Sequence, residues 1–157
     1  MGDIKLSNVI NDEGQIPLSA QQLIPKYCSF IDKINKENKE NIDGLIKQVS
    51  SLFDKRISFT LCQGTSSEGE VFPDQESWLS YTLNTLTQFT TNFHLLSVPI
   101  WTIQNESLNV EYSVQSTHIN TSVHITIVAN YSVEIKKIEN DWLIMNIQLI
   151  IKNINSK

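Results

Sequence analysis

Apolar residues follow two different rhythms along this chain. In the first half they recur at spacings of three and four. In the second half they alternate with polar residues. Leu23, Tyr27, Phe30, Ile31 and Ile34 lie on one face of a helical wheel, and so do Ile42, Leu45, Ile46, Val49, Leu52 and Phe53. From Val123 to Ile135 every odd position is apolar (Val123, Ile125, Ile127, Ala129, Tyr131, Val133, Ile135), while His124, Thr126, Val128, Asn130, Ser132 and Glu134 take the even positions, polar but for Val128. A period of two puts alternate side chains on opposite faces of a strand, so this stretch predicts a strand with one apolar face. A sheet with one apolar face must cover it, and the helical first half is the material available. The pattern therefore predicts an α+β fold: a curved antiparallel sheet wrapped over N-terminal helices.

The element boundaries follow from local signals. Ser19 reads as a helix N-cap, with Gln22 completing a capping box, and Pro25 falls in the second turn at the latest or else marks the true first turn. Asn35 to Asn41 is polar on every side and is either a solvated helix extension or a loop. Gly44 weakens the first turn of the second helix by about 1 kcal/mol. Ile57 to Leu61 predicts a short strand, and Gln63 to Gly69 a Gly/Ser/Thr-rich loop. Pro73 and Asp74 precede a third helix that carries Trp78, Leu79, Leu83, Leu86 and Phe89 and ends near Thr91-Asn92. Four strands follow, at 93–104, 108–119, 122–138 and 141–152, forming a meander. Their turns are Asn105-Glu106-Ser107, Asn120-Thr121 and Glu139-Asn140. Residues 1–17 read as a loose arm, and residues 18–153 as a single domain.

Composition narrows the partners. With 157 residues, 40% apolar and 18% charged, the chain can bury one core without disulfides or metals. A net charge of -5 with no clustered basic face argues against nucleic acid and against an anionic membrane. No window is apolar enough to span a bilayer, and Met1 to Leu6 lacks a signal-peptide design. Ser7 stands one place late for a myristoylation motif on Gly2. A cytosolic protein is expected, with Cys28 and Cys62 as reduced, packed thiols and the Asn-x-Ser/Thr sequons at Asn105, Asn120 and Asn130 as chance matches. There is no Gly-rich phosphate loop, no serine elbow and no helical His-x-x-x-His pair. Trp78, Trp101 and Trp142 read as core or interface residues.

Three segments carry a family resemblance. They are Tyr27-Cys28-Ser29-Phe30-Ile31-Asp32 on the first helix, Phe93-His94-Leu95-Leu96 opening the first long strand, and Tyr131 to Ile144, which ends in Asn140-Asp141-Trp142-Leu143-Ile144. With Leu52-Phe53 and Val110 to His118, their order resembles the nuclear transport factor 2-like superfamily over residues 19–152. The likeness is greatest to the SnoaL-like group that includes scytalone dehydratase and steroid Δ-isomerases. The resemblance implies a cystatin-like cone, with the sheet curled round the helices and a pocket opening at one end. That fold hosts enzymes and simple binding modules alike.

Four residues are candidates for chemistry. If Gln104 and Leu108 pair across their turn, His94 lies directly opposite His118 on the apolar face. By resemblance these match the two dehydratase histidines, Asp32 matches the helix aspartate, and Tyr27 matches the isomerase tyrosine that donates to an oxyanion. Histidines that titrate near neutrality, with a carboxylate to orient them, can move protons without a metal or organic cofactor. His124 falls on the polar face. Two departures stand against this set: Ile31 occupies the position of the dehydratase's second tyrosine, and Ser58 to Cys62 carries no carboxylate where the isomerases place a base. The stretch from Asn35 to Glu40 is an insertion relative to the family pattern. Two readings therefore stay open. One is a cofactor-independent lyase or isomerase acting on a small, apolar, oxygenated molecule. The other is a non-catalytic ligand-binding or dimerisation module. Val128 on the outer face, and a last strand apolar on both sides, predict a homodimer through the sheet.

Overall fold

The computed structural model describes residues 9–11, 14–36, 39–64 and 69–157. Helix α1 (Leu18–Gln21) leads into α2 (Leu23–Asp32), and a short 3-10 turn (Lys39–Asn41) opens α3 (Ile42–Ser50). Strands β1 (Phe53–Gln63) and β2 (Glu70–Phe72) precede α4 (Gln75–Leu86). The rest is sheet: β3 (Thr91–Leu96), β4 (Ile100–Gln104), β5 (Ser107–Ile119), β6 (His124–Ile138) and β7 (Asp141–Ser156). The strands run β2-β1-β7-β6-β5-β3, with β4 also paired to β5. Every pairing is antiparallel except β1 with β7, which is parallel. The α+β cone is as expected, but the sheet is mixed. Among the described residues, no helix is long and apolar enough to cross a membrane.

The core lies between the concave face and the helices. α2 buries Leu23, Ile24, Tyr27, Cys28 and Ile31, and α3 buries Leu45 and Val49. β6 buries Ala129, Tyr131, Val133 and Ile135, the alternate positions that its sequence pattern selects. Burying a side chain of this size contributes about 1.5–3 kcal/mol. Aromatic residues fill one end of the cone: Phe59 stacks on Trp78 with ring centres 4.6 Å apart, and Phe53 meets Phe59 edge-on at 5.3 Å. α4 is held at its start by Asp74, whose carboxylate accepts from the Ser77 backbone N–H at 2.8 Å.

Several expectations are corrected. Ser19 is not a cap, because α1 starts at Leu18 and α2 follows Gln22 without a side-chain cap bond. Pro25 does fall in the first turn of α2, where a missing N–H costs nothing. β1 is far longer than Ile57 to Leu61, since it is paired along both edges. The short partner strand β2 had no signal of its own. α4 ends at Leu86, so Phe89 is buried beyond it rather than on it. Within the segment read as a loose arm, residues 1–8, 12 and 13 lie outside the described residues, but Val9 is buried in the core. Residues 37–38 of the polar run and 65–68 of the Gly/Ser/Thr loop are also outside them.

The last strand is corrected in a more informative way. β7 is an interior strand between β6 and β1. Glu134 pairs with Asn146 and Ile135 with Ile144, so Met145 is an extra, bulged residue. A bulge reverses which parity faces inward. Trp142 and Ile144 face the core before it, and Ile147, Leu149 and Ile151 after it. The appearance of a strand apolar on both sides comes largely from this one residue.

Candidate functional site

Asp32 is the last residue of α2, and it reaches across to β3. Its Oδ2 accepts from the His94 backbone N–H at 3.1 Å, and its Oδ1 meets His94 Nδ1 at 2.5 Å. One carboxylate thus docks the helix end on the strand and orients the ring. An ionised carboxylate only accepts, so Nδ1 carries the proton, and Nε2 is the nitrogen left to act in the cavity that His94 lines.

The partner of His118 is an amide. Asn92, two residues before His94 and on the same face, donates both Nδ2 hydrogens to backbone carbonyls, to Ile34 at 2.6 Å and Leu86 at 3.0 Å. That fixes the amide orientation and turns Oδ1 toward His118 Nδ1, 2.7 Å away. An amide oxygen only accepts, so His118 holds its proton on Nδ1. Its Nε2 then accepts from the Ser116 hydroxyl at 3.1 Å. Burial, with a smaller contribution from neighbouring His94, lowers the pKa of His118 to about 4.

The predicted strand register is corrected. His94 pairs with Ser116, and His118 with Asn92. The hairpin closes on Gln104–Ser107, with Asn105 at φ 53 in the left-handed region. Residues Ser97-Val98-Pro99 interrupt the first long strand, and the register moves by one residue between β4 and β3. Had the β4 register continued, His94 would pair with Thr117 and the two histidines would face opposite sides. With the shift both face inward, and their rings meet edge-on with centres 6.0 Å apart.

The two rings border a cavity of about 120 Å³, walled mostly by apolar groups from α2, α4, β5, β6 and β7. In the same measure an ordered water takes roughly 10–15 Å³, so a small organic molecule fits. Tyr27 lines the cavity and is fully buried. Its hydroxyl accepts from the Trp78 indole N–H at 2.7 Å, which leaves its own proton to donate. Burial holds the phenols of Tyr27 and Tyr131 well above the usual range, and the Cys28 thiol likewise, so all three keep their protons. His124 is exposed on the outer face. Among the described residues, no cluster of three or more His, Cys, Asp or Glu is placed to hold a metal.

The site thus brings Tyr27, His94 and His118 onto one cavity, with Asp32 behind His94. Sequence reasoning missed Asn92 and Ser116. A signal was present, since each stands two residues before a candidate histidine and so shares its face.

No family model matches the chain, and no curated protein matches it by sequence. Solved structures do match in shape. A hexachlorocyclohexane dehydrochlorinase (LinA) type 2 superposes with a TM-score of 0.69 at 14% identity, covering 88% of this chain and 86% of the other. A proposed scytalone dehydratase from Novosphingobium aromaticivorans gives 0.66 at 13% identity, covering 87% and 84%. A protein of unknown function with a cystatin-like fold from Nostoc punctiforme gives 0.63 at 14%, covering 91% and 94%. With helices packed in the hollow of a bent sheet and these matches across most of its length, the chain has the cystatin-like, nuclear transport factor 2-like fold that its sequence resembles.

Proposed function

We propose that this protein binds a small, largely apolar, oxygenated molecule in the cavity and removes a proton from it, as a cofactor-independent lyase or isomerase. The observation that carries the reading is the Asp32–His94 pair at the wall of an apolar cavity. His94 Nε2 takes the substrate proton, and Asp32 stabilises the imidazolium that forms. A positioned base of this kind contributes roughly 10²–10⁴-fold in rate. Tyr27 donates a hydrogen bond where negative charge builds on a substrate oxygen. His118 stays neutral, with Nε2 engaged by the Ser116 hydroxyl, and lines the cavity beside the substrate. The names of two similar structures, a dehydrochlorinase and a proposed scytalone dehydratase, both denote eliminations and support this class of reaction. A cytosolic location, with Cys28 and Cys62 as thiols, belongs to the same reading.

A second reading is a binding module without turnover. It is favoured by Ile31, which packs into the core where the resemblance expects a tyrosine. A metabolite-extract screen separates the two. The parent, His94→Ala and Asp32→Asn are each incubated with extract, and captured and consumed molecules are read by mass spectrometry. Turnover in the parent and its loss in both variants, with capture retained, is the expected result. Equal capture in all three, with no turnover in the parent, leaves only the binding module.

The outer sheet face carries Phe93, Leu95, Ile100 and Val128, all exposed, with Leu95 and Val128 both paired to Gln115. We assign this strip to a homodimer with a second copy of the chain. Sedimentation should give a dimer that Leu95→Asp dissociates; a monomer throughout the micromolar range would refute it.

A further inference from the structure

Ser116 and His118 at the cavity, with Asn92 behind them, form a relay that the elimination chemistry does not use. Ser116 Oγ lies 3.1 Å from His118 Nε2, His118 Nδ1 lies 2.7 Å from Asn92 Oδ1, and the Asn92 amide is locked by two backbone carbonyls. These are the spatial relations of a nucleophile, its base and the group that orients the base. Orientation decides whether such a relay is productive. An amide that turned its NH2 group toward the ring would force the wrong tautomer. Asn92 turns its oxygen instead, so the lone pair of His118 faces the serine hydroxyl. Ser116 and His118 both line the cavity, and much of the remaining wall is apolar.

We propose that Ser116 is a second reactive centre in this cavity, a nucleophile that takes the acyl group of a small apolar carboxylic ester. Ser116 Oγ forms a bond to the ester carbonyl carbon while its proton passes to His118 Nε2. The tetrahedral intermediate then collapses with cleavage of the bond to the alcohol oxygen, and that oxygen leaves with the proton from His118. Water repeats the sequence on the acyl-serine and releases the carboxylic acid, so no oxidant or external acid is consumed. Tyr27 is one cavity hydroxyl with a proton to offer the transient oxyanion. Because burial lowers the pKa of His118 to about 4, the ring is a free base at neutral pH but a weak one. A weak base slows both the attack of Ser116 and that of water, so the adduct should accumulate when the reagent brings a good leaving group of its own.

The test is active-site labelling. The folded chain is treated with an alkyl fluorophosphonate and, separately, with p-nitrophenyl butyrate, and the adduct is located by intact mass and peptide mapping. One adduct on Ser116 is expected. It should be absent in Ser116→Ala and slowed at least tenfold in His118→Gln, each checked for folding by circular dichroism. Ser116→Cys provides a second line and should form a stable thioester with p-nitrophenyl butyrate. The Ser116 adduct is read in the parent independently of turnover in the metabolite-extract screen, so loss of the elimination chemistry and loss of this one are distinguishable. An unlabelled Ser116 in the folded parent overturns the proposal. So does a Ser116 adduct that forms equally fast in His118→Gln.

Discussion

Two histidines share one cavity, 6.0 Å apart, and the chain has given them different partners. His94 is backed by the carboxylate of Asp32 at the end of a helix, where charge on the ring is met by opposite charge. His118 is backed by the amide of Asn92, buried among carbonyls, where charge on the ring meets desolvation, a dipole and a second histidine, with Asp32 a weaker opposing influence. The same side chain is paired with a carboxylate in one place and with a neutral acceptor in the other. The lesson is that burial, together with the group behind the ring, sets what each histidine can do.

The largest expected effect comes from exchanging the amide for a carboxylate. Asn92→Asp removes both N–H donors from the Ile34 and Leu86 carbonyls and buries a charge beside His118. We expect a loss of roughly 3 kcal/mol or more in urea unfolding, from two orphaned acceptors and a desolvated carboxylate. His118 should also titrate at a higher pH by NMR. Unchanged stability would mean that Asn92 does not hold the site.

A smaller effect comes from protons. Unfolded, His118 takes up a proton near 6.5; folded, it does so only near about 4. Between these values the unfolded chain binds more protons, so stability rises with pH across that window. Stability should therefore be greatest above about pH 6.5, fall by on the order of 2 kcal/mol toward pH 4, and flatten below, with the figure reduced for screening by water in the cavity. His118→Gln should flatten that slope when unfolding is followed at pH 4.5 and 7.

The smallest effect on stability makes the two sites alike. Asp32→Asn can still present an oxygen to His94 Nδ1, and the Asp32 side chain is 22% exposed. The loss in thermal or urea unfolding should stay within about 1 kcal/mol. A large loss would show that the carboxylate is chiefly structural, and would weaken the comparison.

Legibility in the sequence followed the range of the interactions. The alternation of β6, the apolar face of α2 and the Asp74 cap of α4 are each decided by neighbours within a few residues, and each was readable. β2 was missed because three residues become a strand only when β1 lies beside them. The parallel pairing of β1 with β7 joins segments far apart in the chain and leaves no local mark. Ser19 is the opposite case: a sound local signal that α1, starting at Leu18, does not use.

The sequence by itself determined the α+β class, the inward face of the long strands and the identity of the cavity's candidate groups. The alternation of side chains across a strand and the cost of exposing an apolar face fix those without reference to any partner. Only the tertiary structure decided that His94 and His118 meet. That depends on a one-residue change of register at Ser97-Val98-Pro99, and a single-residue slip sends every side chain of a strand to the other face. Proline cannot continue the ladder, so the strand read as unbroken over 93–104 is divided there into β3 and β4. The size of the register change was set by how β3 docks on β5 and on the carboxylate of Asp32, and those contacts exist only in the folded chain.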